Sequence, residues 1–363
     1  MRKVVGVLMV CAILLSIGST AQATKTWVSG TVGNWNTIAN WGASSLPSTG
    51  ETAVINNGTC TVDATPVAVP GILLMGAAST DVGVLNLTTG ANLNLYKSGS
   101  AGIVEMIKGT TSGGGSATIN VSNGTLRVGA AGTANGGTSE MRLITSSTML
   151  GTATINLSSA GVIDADVLSK GNKTNTAATF NATGGTLVLR NMIYRFGKAS
   201  EGAGFNQGTA KLEIGAINTV AAISVGNSSN AMDYTVGTGG TINFDIASAS
   251  SYDTVSQFVD NVGGTCYANI AGATLSIDLL GGYTPSAGTS FDVWTYTTTG
   301  VTGTLGTFVG SGAFGVIPAG WAASWVDKSG DGLTDTLRLT YTPEPATMAL
   351  FGLGLLAMRR NKK

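Results

Sequence analysis

Asp164 and Asp166 stand two residues apart in the stretch Val162-Ile-Asp-Ala-Asp-Val-Leu-Ser-Lys170, with Lys173 close behind and Arg190 and Arg195 further along. Two carboxylates on one side of a strand are the minimum apparatus for glycoside hydrolysis, which needs them about 5–10 Å apart. A polysaccharide lyase would instead set calcium-binding carboxylates beside a basic residue. We read these residues as ordinary polar positions on a solvated face, with the enzyme as the alternative.

A second constellation is Asp327-Lys-Ser-Gly-Asp-Gly-Leu-Thr-Asp335. Asp327, Ser329, Asp331, Gly332 and Asp335 fall at positions 1, 3, 5, 6 and 9 of an EF-hand-like calcium loop, but position 12 holds Arg338 where that loop requires a bidentate Glu. The flanks, Ala322–Val326 and Thr336–Tyr341, read as strands. An Asp/Gly-rich hairpin turn is therefore the preferred reading, with Asp327, Asp331 and Asp335 kept as a calcium candidate.

The rest of the catalytic inventory is missing. The chain has no histidine, which removes the commonest general base, the usual partner of a nucleophilic Ser or Cys, and most zinc and iron sites. Cys60 and Cys266 have no CxxC partner, and no Gly-rich stretch carries the Lys-Ser/Thr of a phosphate loop. No catalytic or cofactor-binding residue is assigned, no cofactor is expected, and the chain is expected not to be an enzyme.

The elements that position these residues are short strands. Leu85–Leu95, Ala117–Val128, Ala153–Ile163 and Ala178–Leu189 each read as strand, Gly/Asn/Ser turn, strand, with apolar residues at alternate positions. Residues 208–214, 240–246 and 273–279 continue the series. Successive units begin roughly 23–36 residues apart, and no segment of the body has helical periodicity. The reading is an all-β chain, a right-handed parallel β-helix or solenoid with atypical β-rich caps. A pair of β-sandwiches is the rival.

Tryptophan supports caps. Trp27, Trp35 and Trp41 lie at the front and Trp294, Trp321 and Trp325 at the back, with none between 42 and 293. Repeat stacks need atypical terminal units, whereas a narrow interior is expected to hold Val, Ile, Leu and Ala. The functional alternative makes Trp35 and Trp41 a sugar-stacking platform. Cys60 and Cys266 are read as small buried residues, although an oxidising compartment would permit their pairing.

Both termini read as targeting segments. Arg2 and Lys3 precede the apolar run Val4–Ile17, and Ala21-Gln22-Ala23 is a small-x-small signal peptidase site giving a mature start at Thr24. At the other end Pro343-Glu344-Pro345 precedes the apolar stretch 346–358 and then Arg359, Arg360, Lys362 and Lys363. As a short transmembrane helix that stretch would span about 20 Å, less than a comfortable bilayer crossing of about 20 residues. The cations after it should hold the end on the cytoplasmic side. Between the signals, residues 24–342 keep 13 of the 19 cations and 18 of the 19 anions, a net of about −5. That balance leaves no electrostatic footprint for nucleic acid or anionic lipid.

The C-terminal arrangement resembles the PEP-CTERM sorting signal of Gram-negative bacteria. The resemblance implies that a membrane-embedded cysteine protease, exosortase, reads Pro343, Glu344 and Pro345. It implies as well that Arg359, Arg360, Lys362 and Lys363 act as the stop-transfer cluster. The front, Trp35–Pro47 leading to Ala53–Val62, and the back, Ser251–Val255 through Ala273–Pro285 to Gly288–Trp294, resemble the opening and terminal cap of autotransporter-type β-helical surface proteins. No outer-membrane barrel follows, so the chain is not expected to export itself. The expected domains are a signal peptide (1–23), an N-terminal cap with first strands (24–80), solenoid repeats (81–250), a C-terminal β-rich cap (251–342) and the sorting signal (343–363). The expected partners are the Sec machinery and signal peptidase, exosortase, and exopolysaccharide in a biofilm. The expected location is the cell surface or extracellular matrix after transient anchoring in the inner membrane. A polysaccharide-binding adhesin is the second reading, and a lyase or glycosidase centred on Asp164 and Asp166 the third.

Overall fold

The computed structural model describes residues 23–66, 69–78, 80–96, 102–107, 115–129, 139–144, 151–171, 177–196, 205–226, 232–259, 268–270, 272–298, 314–328, 330 and 335–343. The alternating segments form strands, in the pairs Val82–Leu87 and Asn92–Leu95, Ser116–Val121 and Thr125–Val128, Thr152–Leu157 and Val162–Gly171, Ala177–Ala182 and Thr186–Tyr194. The two strands of a pair do not bond to each other. The first belongs to a six-stranded sheet and the second to an eighteen-stranded one. The Asn-Gly and Gly-Gly turns between them, often a hairpin signal, here take the chain around a corner from sheet to sheet.

Within the six-stranded sheet all strands run parallel, the four inner ones each bonded to the strand one circuit before and the strand one circuit after. Parallel neighbours need a long crossover, and the chain fills it with strands of the other sheet. From Phe205 onward the large sheet alternates with a three-stranded parallel sheet of Phe205–Asn206, Tyr234–Thr235 and Ala268–Asn269. Parallel pairing runs from Thr24–Thr26 to Ser290–Thr298, past both ends of the 81–250 segment. Antiparallel pairs are Ser251–Tyr252 against Thr241–Ser248, and Thr336–Tyr341 against both Ser290–Thr298 and Trp321–Val326.

The register stacks like on like. Leu85, Ile119, Ile155 and Phe180 form one inward row, and Leu93, Leu126, Ile163, Leu187, Leu212, Ile242 and Leu275 another; all are buried. On the opposite face Asn86, Asn120, Asn156 and Asn181 are in register, and each amide donates to the one before it at 2.7–2.9 Å. The backbones pack so closely at corners that glycine is required at Gly208. Its φ is +62°, and a Cβ there would lie 2.1 Å from the Ala182 carbonyl oxygen.

The interior departs from an all-aliphatic filling. Phe180, Phe205, Tyr234 and Trp294 form a chain of ring contacts with centroids 5.1, 5.4 and 5.2 Å apart. The Tyr234 hydroxyl is satisfied by Gln207 Oε1 at 2.6 Å, and the Trp294 indole by Gln257 Oε1 at 3.1 Å. Buried glutamines thus admit polar aromatics to a core that otherwise excludes them.

Adjacent residues Ile119 and Asn120 face opposite ways, so their truncations should differ. Ile119→Ala, by emptying a fully buried position, should cost about 2–5 kcal/mol. Asn120→Ala, whose neighbours can rebond to water, should cost about 1 kcal/mol. Urea unfolding midpoints of the two variants check the order.

Candidate functional sites on the outward rows and at the termini

The chemically capable residues fall into separate groups once the register is known, because residues on different circuits become neighbours. One outward row of the large sheet reads Asn94, Arg127, Asp164, Val188, Glu213, Asn243 and Ser276. Asp164 and Asp166 are not on a solvated face; they are 6% and 0% exposed. A β-bulge opposite Ala165–Val167 brings Arg190 between them. Its Nε donates to Asp166 Oδ1 at 2.6 Å and its Nη1 to Asp164 Oδ1, while Arg127 Nε holds Asp164 Oδ2 at 2.7 Å. Both carboxylates are thus committed to guanidinium groups. Arg195 does not join them; it stacks on the Tyr194 ring, 4.8 Å from its centroid. Lys170 is half-buried, and Lys173 lies outside the described residues.

A second buried group sits beside it. Glu140 accepts from Arg142, Ser169 and Tyr194, and Arg142 also reaches Glu105 at 3.1 Å. Burial pushes the Glu140 carboxyl up, but these donors and the Arg142 charge outweigh it and hold it below its usual 4.5.

Trp27, Trp35 and Trp41 are all buried, and their rings meet edge-on at 5.0 and 4.7 Å with interplanar angles of 86° and 73°. That geometry closes the first circuit and offers no flat face to a sugar. Trp321 and Trp325 are half-buried against the core. Cys60 is a buried free thiol whose titration burial pushes far up; Cys266 lies outside the described residues.

The Asp327 segment is the turn between two antiparallel strands. Asp327 Oδ1 accepts the Gly330 N–H at 2.6 Å and Asp335 Oδ1 the Lys328 N–H at 3.0 Å. Arg338 binds both Asp292 oxygens, at 2.7 and 3.2 Å. These contacts match the hairpin-turn reading; Ser329, Asp331 and Gly332 lie outside the described residues.

A further acidic group escaped sequence reasoning. Glu213, Asp245 and Asp278, from three successive circuits, place carboxylate oxygens within 4.8 Å of one another. Asn243 Nδ2 bonds all three, at 3.0, 3.3 and 3.1 Å. Burial, then the charges of Glu213 and Asp278, raise Asp245 to about 6. The alternation in KLEI, TINFDI and TLSIDL was visible, but not the register that aligns them.

At the termini, the first described strand, Thr24–Thr26, pairs with Thr52–Ile55 from Thr24 onward, the expected mature start. The last of the described strands ends at Tyr341, and Thr342 and Pro343 after it are exposed. Ala21, Glu344, Pro345, Arg359, Arg360, Lys362 and Lys363 lie outside the described residues. Among the described residues no helix is long and apolar enough to cross a membrane. Residues 342–363 match the PEP-CTERM protein-sorting motif. A motif of this kind implies export by the Sec route, processing by an exosortase and targeting to the cell surface. No curated protein matches the chain.

Two outcomes follow from the buried ion pairs. Arg190→Met takes away the guanidinium that two buried carboxylates share, Asp164 keeping Arg127, and should destabilise by about 3–5 kcal/mol, whereas combining it with Asp164→Asn and Asp166→Asn should restore most of the loss. Thermal unfolding of the single and triple variants checks this. Glu140 is depressed in the folded state, so its stabilisation is present above pH 4.5 and is lost as pH falls through the folded value. Glu140→Gln should flatten that acid limb in a series of urea titrations.

Proposed function

We propose that this chain is a non-enzymatic bacterial surface or matrix protein, delivered by the sorting segment that begins directly after its last strand. The observation that carries the reading is that juxtaposition: the final strand closes at Tyr341 and the matched motif starts at residue 342. The Sec machinery exports the chain and signal peptidase cuts after Ala23. Residues 346–358 then hold it in the inner membrane, with Arg359, Arg360, Lys362 and Lys363 as the stop. Exosortase cuts at Pro343-Glu344-Pro345, and the β-rich body remains at the surface or enters an exopolysaccharide-rich biofilm matrix. An exposed Pro343 beyond a completed sheet suits that step, since a protease needs an extended segment clear of the fold.

We read the body as a right-handed β-solenoid of the autotransporter-like kind. Parallel partners one circuit apart support the winding, and right-handed crossovers are the rule for such connections. The commitment of Asp164 and Asp166 to Arg190 and Arg127 supports a non-enzymatic body. A second reading, a polysaccharide-binding adhesin, is favoured by the outward ladder of Asn86, Asn120, Asn156 and Asn181, a row of amides matched to sugar hydroxyls.

Mass spectrometry of membrane and secreted fractions from the native host tests the proposal. The expected mature chain starts at Thr24 and lacks Arg359–Lys363. Replacing Pro343, Glu344 and Pro345 by alanine should leave the full tail on a membrane-bound form. A soluble wild-type form that retains Arg359–Lys363 would overturn the proposal.

A further inference from the structure

The carboxylates of Glu213, Asp245 and Asp278 converge from strands Lys211–Ile214, Thr241–Ser248 and Thr274–Leu279. Glu213 is 2% and Asp245 0% exposed, while Asp278 opens to solvent. Among the described residues one cation, Lys211, pairs with the group, through Glu213 Oε2 at 2.7 Å, and one neutral amide, Asn243, donates to all three carboxylates. That amide is the independent clue. Asn243 is 0% exposed, sits among the three carboxylates, and has its own Oδ1 buried without a hydrogen-bond partner. Asp245 Oδ2 is likewise buried and unbonded. The N and O of the Asn243 amide are exchanged by a simple flip. Turning Oδ1 inward would be repulsive among carboxylates alone, yet it completes an oxygen cage around a cation.

We propose that Glu213, Asp245, Asp278 and the flipped Asn243 Oδ1 bind one calcium ion on the outer face of the sheet. The donors are all hard oxygens, with no histidine in the chain and no thiolate among them, which disfavours zinc and copper. Calcium–oxygen distances of about 2.3–2.6 Å let one ion touch oxygens spread over as much as 4.8 Å. Magnesium, at about 2.0–2.1 Å with a strict octahedron, needs a tighter set. Water entering beside Asp278 supplies the remaining ligands. The ion ties three circuits together just before the closing antiparallel strands, at the millimolar calcium of an extracellular setting.

Calorimetric titration of the chelator-treated full-length protein with calcium chloride tests this. The expected result is one ion per chain with a dissociation constant of about 0.1–1 mM, in the range of extracellular modules. Magnesium should bind at least about tenfold more weakly. Asp278→Asn, at an exposed position, should still fold without calcium and lose at least about tenfold in affinity. Asp327→Asn should bind as the wild type does. Absence of calcium binding, full affinity in Asp278→Asn, or loss confined to Asp327→Asn would each overturn the proposal.

Discussion

The structure depends on in-register parallel hydrogen bonding between strands one circuit apart. Apart from the antiparallel pairs at Ser251–Tyr252 and Thr336–Tyr341, the described strands take their hydrogen-bond partners from strands that are not their immediate neighbours in sequence. Each circuit therefore borrows its partners from its neighbours, and an unpaired buried backbone group is too costly to tolerate. Register then decides everything at the side-chain level. A slip of one residue would turn Leu85, Ile119 and Ile155 outward and the asparagine row inward. The inward rows give the apolar burial and the outward asparagine ladder pins the alignment.

That constraint also produces the buried charges. Residues on circuits 25–36 positions apart become immediate neighbours, so acids and bases distant in sequence meet on the outer rows. Arg190 with Asp164 and Asp166 is a completed case, in which each charge is answered and the cluster stabilises by never being separated. Glu213, Asp245 and Asp278 are an uncompleted case, in which one lysine and one amide face three acids. The same geometric rule thus yields a structural clamp at one point and a cation cage at another.

Much of this was legible in the sequence. Period-two alternation in segments such as Ala117–Val128 fixed which residues point inward, and the tail announced its sorting role through Pro343-Glu344-Pro345. What remained hidden depended on register. Alternation placed Asp164 and Asp166 opposite the core, and from that a solvated face was inferred; only pairing with the circuit carrying Arg190, across a bulge, shows them buried. Glu213 and Asp278 look like isolated surface acids until circuits of unequal length are aligned. The Phe180–Phe205–Tyr234–Trp294 chain was hidden for the same reason, since Phe205 and Tyr234 lie in two-residue strands too short to show a pattern.

The central claim, that distant strands stack in parallel register, is open to a direct distance measurement. Thr59 and Thr179 lie far apart in sequence but four strand spacings apart in one sheet, about 19 Å at roughly 4.8 Å per strand. Spin labels at these two positions, with the native cysteines replaced by alanine, report that separation by pulsed electron resonance. The account predicts a narrow distribution centred near 20 Å once the label arms are included. A distribution lying wholly beyond about 30 Å would contradict it, because no parallel stack of five neighbouring strands is that wide.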